Sequence, residues 1–255
     1  MSSTDYNTLI QLLKSSEEVN HELAFQMLEG IGVESNAELA KLLTSRPAYL
    51  FRCLQNNWTA ILDLITSIEY KYYQIPSLPP NFCQLSQLET LALNHCNLQK
   101  LPPNFSQLNR LKQLTLNYNS LQTISDEIGR LSQLTELSLV GNHFKTIPVS
   151  IVQLQQLEIL SLIDNQIQTI PKGFVHLSRL KKVILRNNEL DELPMELCML
   201  EHLEVLDLAD NNIKRLPNAL SCLNKLKSLY LTRNQLSKSE KLKVEILLPH
   251  TIIYY

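Results

Sequence analysis

Glycine is scarce in this chain, at 5 of 255 residues. That shortage argues against phosphate-cradling loops, which need several glycines at fixed offsets after a strand. Gly30-Ile31-Gly32 has neither a preceding strand pattern nor a third glycine. An excess of charge is also missing. Lys and Arg total 23 and Asp and Glu total 25, a formal charge of −2, which gives no electrostatic pull toward nucleic acid or an anionic membrane. Cysteine is sparse and scattered: Cys53, Cys83, Cys96, Cys198 and Cys222 form no C-x-x-C pair. An odd, dispersed set is the pattern of reduced thiols. No apolar run approaches the roughly 18 residues of a membrane span. Met1–Tyr6 does not open a signal-peptide pattern, and no lipidation motif is present. A cytoplasmic protein is the expectation.

What the chain has in abundance is a period. From Ile65 onward a pattern recurs every 23 residues, with units starting at Ile65, Leu88, Leu111, Leu134, Leu157, Leu180, Leu203 and Leu226. The unit beginning at Leu203 shows it most clearly, reading L-x-x-L-x-L-x-x-N followed by L-P and two further apolar positions. The fourth and sixth places are apolar throughout, so an L-x-L alternation predicts one short strand per unit with one face buried. Parallel stacking of identical units predicts a solenoid. Pro79, Pro102, Pro148, Pro171, Pro194 and Pro217 hold a proline column that Ser125 interrupts, which favours extended or 3-10 outer segments over long helices.

The ninth column is Asn119, Asn142, Asn165, Asn188, Asn211 and Asn234, preceded by Tyr73 and Cys96. Where a strand bends into the core, its backbone polar groups are buried and need partners. An inward amide both donates and accepts, so this column is expected to form a structural ladder, with Cys96 as a buried substitute. Tyr73 marks the first unit as degenerate.

Residues 1–64 read as helices, an α-helical N-terminal cap or small helical domain. Leu9, Ile10 and Leu13 mark the first, and Leu23, Ala24, Met27 and Leu28 the second, with Gly30 and Gly32 as punctuation. Leu39, Leu42 and Leu43 mark a third. Leu50, Phe51 and Leu54 mark a fourth that is extended through Trp58 toward Leu64. Residues 65–236 hold the eight repeats. Residues 237–255 read as a capping helix over 239–248, with Ser239 as N-cap, and a final strand. Counting 23 from Leu226 assigns Ile252 and Tyr254 to the inward fourth and sixth places.

Residues 65–236 resemble the 23-residue, proline-containing class of leucine-rich repeats, typical of Ras-group and Ras-suppressor-like proteins and of bacterial relatives. The resemblance implies an α/β fold, an open right-handed horseshoe arc with a parallel concave sheet. It also implies that the concave sheet binds another protein. What the resemblance implies is a non-enzymatic scaffold or adaptor in intracellular signalling, with no cofactor and no metal.

On that face the third, fifth, seventh and eighth places of each unit point outward. Tyr72, His95 and Tyr118 fall in one column on successive strands. Val140, Ile159, Ile163, Ile184, Val205, Ala209 and Tyr230 form an apolar area, edged by Asp164, Lys182, Arg186, Asp207, Asp210 and Arg233. An apolar centre with a charged rim is the anatomy of a protein interface, although β-branched residues also suit strands for their own sake. No nucleophile, base and orienter converge around His95. Asp164, Asp207 and Asp210 lie on different strands among cations, which fits an ion-paired rim better than a metal site. Two other readings stand beside this one: the helical segment binds or oligomerises while the repeats serve as an arm, or the chain is a regulatory subunit of an enzyme. A monomer is favoured over a homodimer.

Overall fold

A side chain buried at every second residue, once per 23-residue unit, leaves each strand one neighbour before it and one after. In the computed structural model residues 3–31 and 35–255 are described. The strands are β1 (Ser67–Lys71), β2 (Thr90–Asn94), β3 (Gln113–Thr115), β4 (Glu136–Ser138), β5 (Ile159–Ser161), β6 (Lys182–Ile184), β7 (Val205–Asp207), β8 (Ser228–Tyr230) and β9 (Ile252–Tyr254). They form one open, parallel sheet in sequence order. Up to β8 the register follows the repeat, with Leu91 opposite Leu114 and Leu114 opposite Leu137. The inward leucines on these strands are fully buried.

The helical segment comprises α1 (Ser3–Lys14), α2 (Glu18–Ile31), α3 (Ala37–Leu43), α4 (Pro47–Gln55) and α5 (Thr59–Leu62). Gly30 lies inside α2 rather than after it, and Gly32 is outside the described residues. Asn36 caps α3 by accepting from the Leu39 N–H at 3.0 Å, and Pro47 opens α4 at the position where a missing N–H costs nothing. The expected continuation of the fourth helix through Trp58 does not occur. Asn57 takes φ 51, a left-handed turn, and α5 starts afresh. The segment shares one hydrophobic core with the repeats, and the Tyr70 hydroxyl donates to the Thr44 carbonyl at 3.0 Å across the junction.

The outer side is built of short turns, as the proline column requires. Five-residue 3-10 segments include Pro80–Gln84, Val149–Gln153 and Asn218–Cys222; in one unit the turn is instead α6 (Met195–Cys198). The prolines before them hold extended backbone, φ −64 and ψ 149 at Pro79 for example. Ser125 reproduces that conformation and lets its hydroxyl accept from the Glu127 N–H at 3.3 Å. Behind the turns, Phe82, Phe105 and Phe174 are fully buried.

At the C-terminal end two expectations are corrected. Helix α7 (Lys238–Leu247) is capped by Ser237, which accepts from the Glu240 N–H at 3.2 Å, and not by Ser239. Ser237 and Glu240 have the spacing of a capping box, and the Glu240 carboxylate accepts from the Leu216 N–H at 3.0 Å, tying the helix to the preceding unit. The register of β9 also shifts: Ile252 lies opposite Ser228, Ile253 opposite Leu229 and Tyr254 opposite Tyr230. A helix in place of a short turn takes one more residue to return to the sheet. A one-residue shift reverses the faces, so Ile253 fills the inward place while Ile252 (60% exposed) and Tyr254 (41%) emerge on the open face.

Candidate functional site: the open face of the sheet

The open face depends on what happens just after each strand. The eighth residue of every repeat has positive φ: Tyr72 (65), His95 (53), Tyr118 (54), Gly141 (64), Asp164 (55), Asn187 (55), Asp210 (56) and Arg233 (55). Only one of these is glycine, so seven positions hold a conformation that L-residues occupy at a cost. The left-handed step turns the chain sharply. It throws the eighth side chain outward and sends the ninth into the core.

The inward asparagines then bond to backbone rather than to one another. Asn188 shows the pattern: Oδ1 accepts from the Ile167 N–H at 3.0 Å, and Nδ2 donates to the carbonyls of Leu162 (2.9 Å), Leu185 (3.0 Å) and Arg186 (3.2 Å). Asn142, Asn165 and Asn211 repeat it; Asn119 varies it, with Oδ1 accepting from the Cys96 and Leu98 N–H groups and Nδ2 donating to the Leu93 and Asn117 carbonyls; and Asn234 closes the series, accepting from the Ile213 N–H at 3.0 Å. Cys96 fills the column with a buried thiol that burial pushes above its ordinary pKa. Its Sγ donates weakly, at 3.3 Å to the Asn94 carbonyl and 3.6 Å to that of Tyr70. It supplies no acceptor, and the Ile75 N–H turns to the Cys96 backbone carbonyl at 2.8 Å. Tyr73 is exposed, edge-on to Tyr70 at 5.6 Å, so the ladder starts at the second repeat.

The ejected eighth column is organised along its whole length. Lys71 Nζ sits 4.9 Å from the Tyr72 ring centre, Tyr72 and His95 are 4.8 Å apart, and His95 stacks on Tyr118 at 4.4 Å and 10°. Tyr118 in turn covers Gly141, where an added Cβ would meet its ring at 2.4 Å. Further on, Asn187 Nδ2 donates to Asp164 Oδ1 at 2.8 Å and Arg233 Nη1 to Asp210 Oδ1 at 3.0 Å. Stacking consumes the ring faces, so the column presents ring edges, hydroxyls and an imidazole to solvent.

Beside it, Val140, Ile159, Ile163, Ile184, Val205 and Tyr230 are all half-buried on the open face, outside the core. Ala209 is a correction: it is fully buried and contributes no surface, since a methyl group cannot reach past its larger neighbours in the seventh column. Sequence reasoning missed Ile252 and Tyr254, which extend the apolar area to the last strand; Tyr254 stacks on Tyr230 at 4.4 Å and 4°. Matching Ile253 to Leu229 would have found them. Several rim charges are engaged internally: Arg186 Nε meets Asp207 Oδ2 at 3.1 Å, and Asp207 Oδ1 accepts from the Ala209 N–H at 3.0 Å. Exposed Glu–Lys pairs in the second column, such as Glu89–Lys112 (2.8 Å) and Glu204–Lys227 (2.7 Å), edge the sheet where the strands begin.

A family model for the leucine rich repeat matches residues 86–144, 132–190 and 178–236. Among solved structures, the chain is similar to the Leptospira interrogans LRR protein LIC12759, with 35% identity and a TM-score of 0.74 over 76% of this chain and 50% of that one. It resembles an internalin (inlF) from Listeria monocytogenes in fold, at 21% identity and TM-score 0.65, over 76% of this chain and 56% of the other. The chain thus spans about half the length of these two proteins. The leucine-rich repeat domain of the type III effector XCV3220 (XopL) aligns over 99% of this chain and 89% of its own, at 20% identity and TM-score 0.65. No curated protein matches significantly.

Proposed function

The chain is a member of the leucine-rich repeat family, and we propose that the open face of its sheet is the docking wall for a protein partner. Leucine-rich repeat domains generally mediate protein–protein interaction and typically act as non-enzymatic scaffolds. In this proposal the repeats are of the 23-residue, proline-containing class, the sheet is concave toward its partner, and the protein works as a cytoplasmic adaptor. The observation that carries it is the set of apolar side chains from Val140 to Tyr254 spread over six strands of the open face, outside the core, with Lys182 and the Arg186–Asp207 pair set among them and Arg233–Asp210 beside them. Apolar side chains on an open sheet face interleaved with paired charges are the pattern of an interface. Rim charges that are already paired lose little solvation when a partner covers the centre.

The anchors are Ile163 and Ile184, with Ile159, Val205 and Tyr230 around them and the Tyr72–His95–Tyr118 column to one side. The test is capture of partners by the immobilised chain compared with an Ile163→Asp/Ile184→Asp variant, read by quantitative mass spectrometry. The variant is expected to lose specific partners while keeping its circular dichroism spectrum and Tm, because neither side chain belongs to the core. Undiminished capture by the variant would remove the open face from consideration.

A further inference from the structure

The outer turns of successive units touch through two fixed columns. Counted from the first residue of each unit, the nineteenth side chain leans on the unit that follows. The Ser106 hydroxyl donates to the Glu127 carboxylate, and the Val152 side chain lies 3.1 Å from where Gly173 would carry a Cβ. At Gly129 the column's partner is explicit: a Cβ there would stand 3.2 Å from the Cβ of Gln153, the twentieth residue of the next unit. A disulfide needs Cβ atoms about 3.5–4.5 Å apart. A residue with a Cβ in the nineteenth column holds the next turn somewhat farther off than glycine does, which carries the pair from 3.2 Å into that range.

Cys198 is the nineteenth residue of its unit and Cys222 the twentieth of the next. No other such pair has cysteine at both places; Cys83, in the same nineteenth column, falls opposite Gln107. Helix α6, which ends at Cys198, packs on the 3-10 turn that ends at Cys222. Both thiols are free, and both line one cavity of about 420 Å3 whose exposed wall includes His202, Asn224 and Lys225. Burial, and after it the neighbouring Cys222, push the Cys198 thiol up to about 12. The two sulfurs differ in access. Cys222 is open to solvent, whereas Cys198 is fully buried and has its neighbour's sulfur within reach.

We propose that Cys198 and Cys222 form a redox modification site, a dithiol that hydroperoxides convert to a disulfide joining the sixth and seventh repeats. This goes beyond the open-face reading and uses the outer side of the solenoid; the reduced thiols expected from the sequence are the resting state of the site. The Cys222 thiolate attacks hydrogen peroxide: an S–O bond forms, the O–O bond breaks, and hydroxide leaves and takes up the proton that Cys222 released. Cys222 is thereby oxidised to a sulfenic acid. The Cys198 sulfur then attacks Cys222 Sγ, forming the S–S bond and expelling hydroxide, which leaves as water with the Cys198 proton. Two thiols and one peroxide become one disulfide and two waters. Treating the native full chain with a few equivalents of hydrogen peroxide is expected to lower its intact mass by about 2 Da and to join the tryptic peptides of Cys198 and Cys222, reversibly with dithiothreitol. Cys222→Ser abolishes that product. Cys198→Ala leaves Cys222 as a sulfenic acid that dimedone traps. Residue 222 is exposed, so its serine variant keeps the fold and the test stands even where the alanine at 198 unfolds the chain. Sulfinic acid at Cys222 beside a free Cys198 in the parent chain overturns the proposal. So does a disulfide that joins two chains through Cys222, or five free thiols while glutathione in the same solution is oxidised.

Discussion

The ring of Tyr118 lies against Gly141, in the space a Cβ at residue 141 would occupy at 2.4 Å from Tyr118 Cδ1. One small residue in the eighth column thereby seats the last ring of an aromatic column that begins at Tyr72. Gly141→Ala has two expected effects. It places an L-residue at φ 64 and forces the ring away, with a combined loss of about 1–3 kcal/mol in urea denaturation. A Tyr118→Ala background relieves the steric part alone. Additive losses in that double-mutant cycle would mean that ring and glycine do not act together.

The ladder predicts unequal costs along one column. Asn188→Ala strips partners from the Ile167 N–H and the Leu162 carbonyl in a dry interior, a loss of about 2–4 kcal/mol. Cys96→Ala removes only weak thiol contacts, because the Ile75 N–H already bonds to backbone, and costs about 1 kcal/mol. Chemical denaturation of the two variants gives the comparison. Equal losses would show that the amide is not what bridges the turns.

Arg233 occupies the left-handed position of the eighth repeat at φ 55, and its pair with Asp210 is largely exposed. Relief of the backbone cost outweighs the lost surface pair and the glycine's larger unfolded-state entropy. Arg233→Gly is therefore expected to stabilise the chain by roughly 0.5 kcal/mol. A lower urea midpoint in that variant would contradict it.

The cysteines divide by burial. Cys53 and Cys198 are pushed to about 12, and Cys83 to about 11, each by the cost of placing a thiolate in the core, while Cys222 is exposed. Brief alkylation of the native chain at pH 8 is expected to label Cys222 first, with the four buried thiols reacting only after unfolding. Intact mass and peptide mapping read this directly, and early labelling at Cys198 would refute the assignment.

Acid should act locally as well. The Lys227 ammonium bonded to Glu204 holds that carboxyl below its ordinary 4.5. A carboxyl lowered in the folded state contributes stability above that value and loses it as pH falls through the folded pKa. Glu204→Gln should therefore lower stability slightly at neutral pH and converge with the parent chain in acid, below the carboxyl's ordinary 4.5, so that the acid limb of the stability curve flattens. A thermal-melt series across pH measures it.

The strands from β1 to β8 were legible because each position is stated eight times over, so the alternation at Leu206 and Leu208 is corroborated by Leu91 and Leu93. The candidate face was legible in the same way as far as Tyr230, from alternation alone. It failed at Ala209, where burial depends on the size of neighbours in other repeats. It failed again at Ile252 and Tyr254, where a single helix replaces the periodic turn and no second copy exists to check the count. Ser239 was mistaken for the cap that Ser237 provides because both serines precede the same apolar pattern.

Composition and period by themselves determined that this chain stacks identical units into a parallel sheet with asparagines inside the bend, since the same few apolar and amide contacts recur at fixed spacing. Only the tertiary structure decided how the ends are finished, how the rings of Tyr72, His95 and Tyr118 lie, and which face β9 shows. Those outcomes rest on contacts made once, between residues distant in sequence, and a repeating pattern carries no information about a contact that does not repeat.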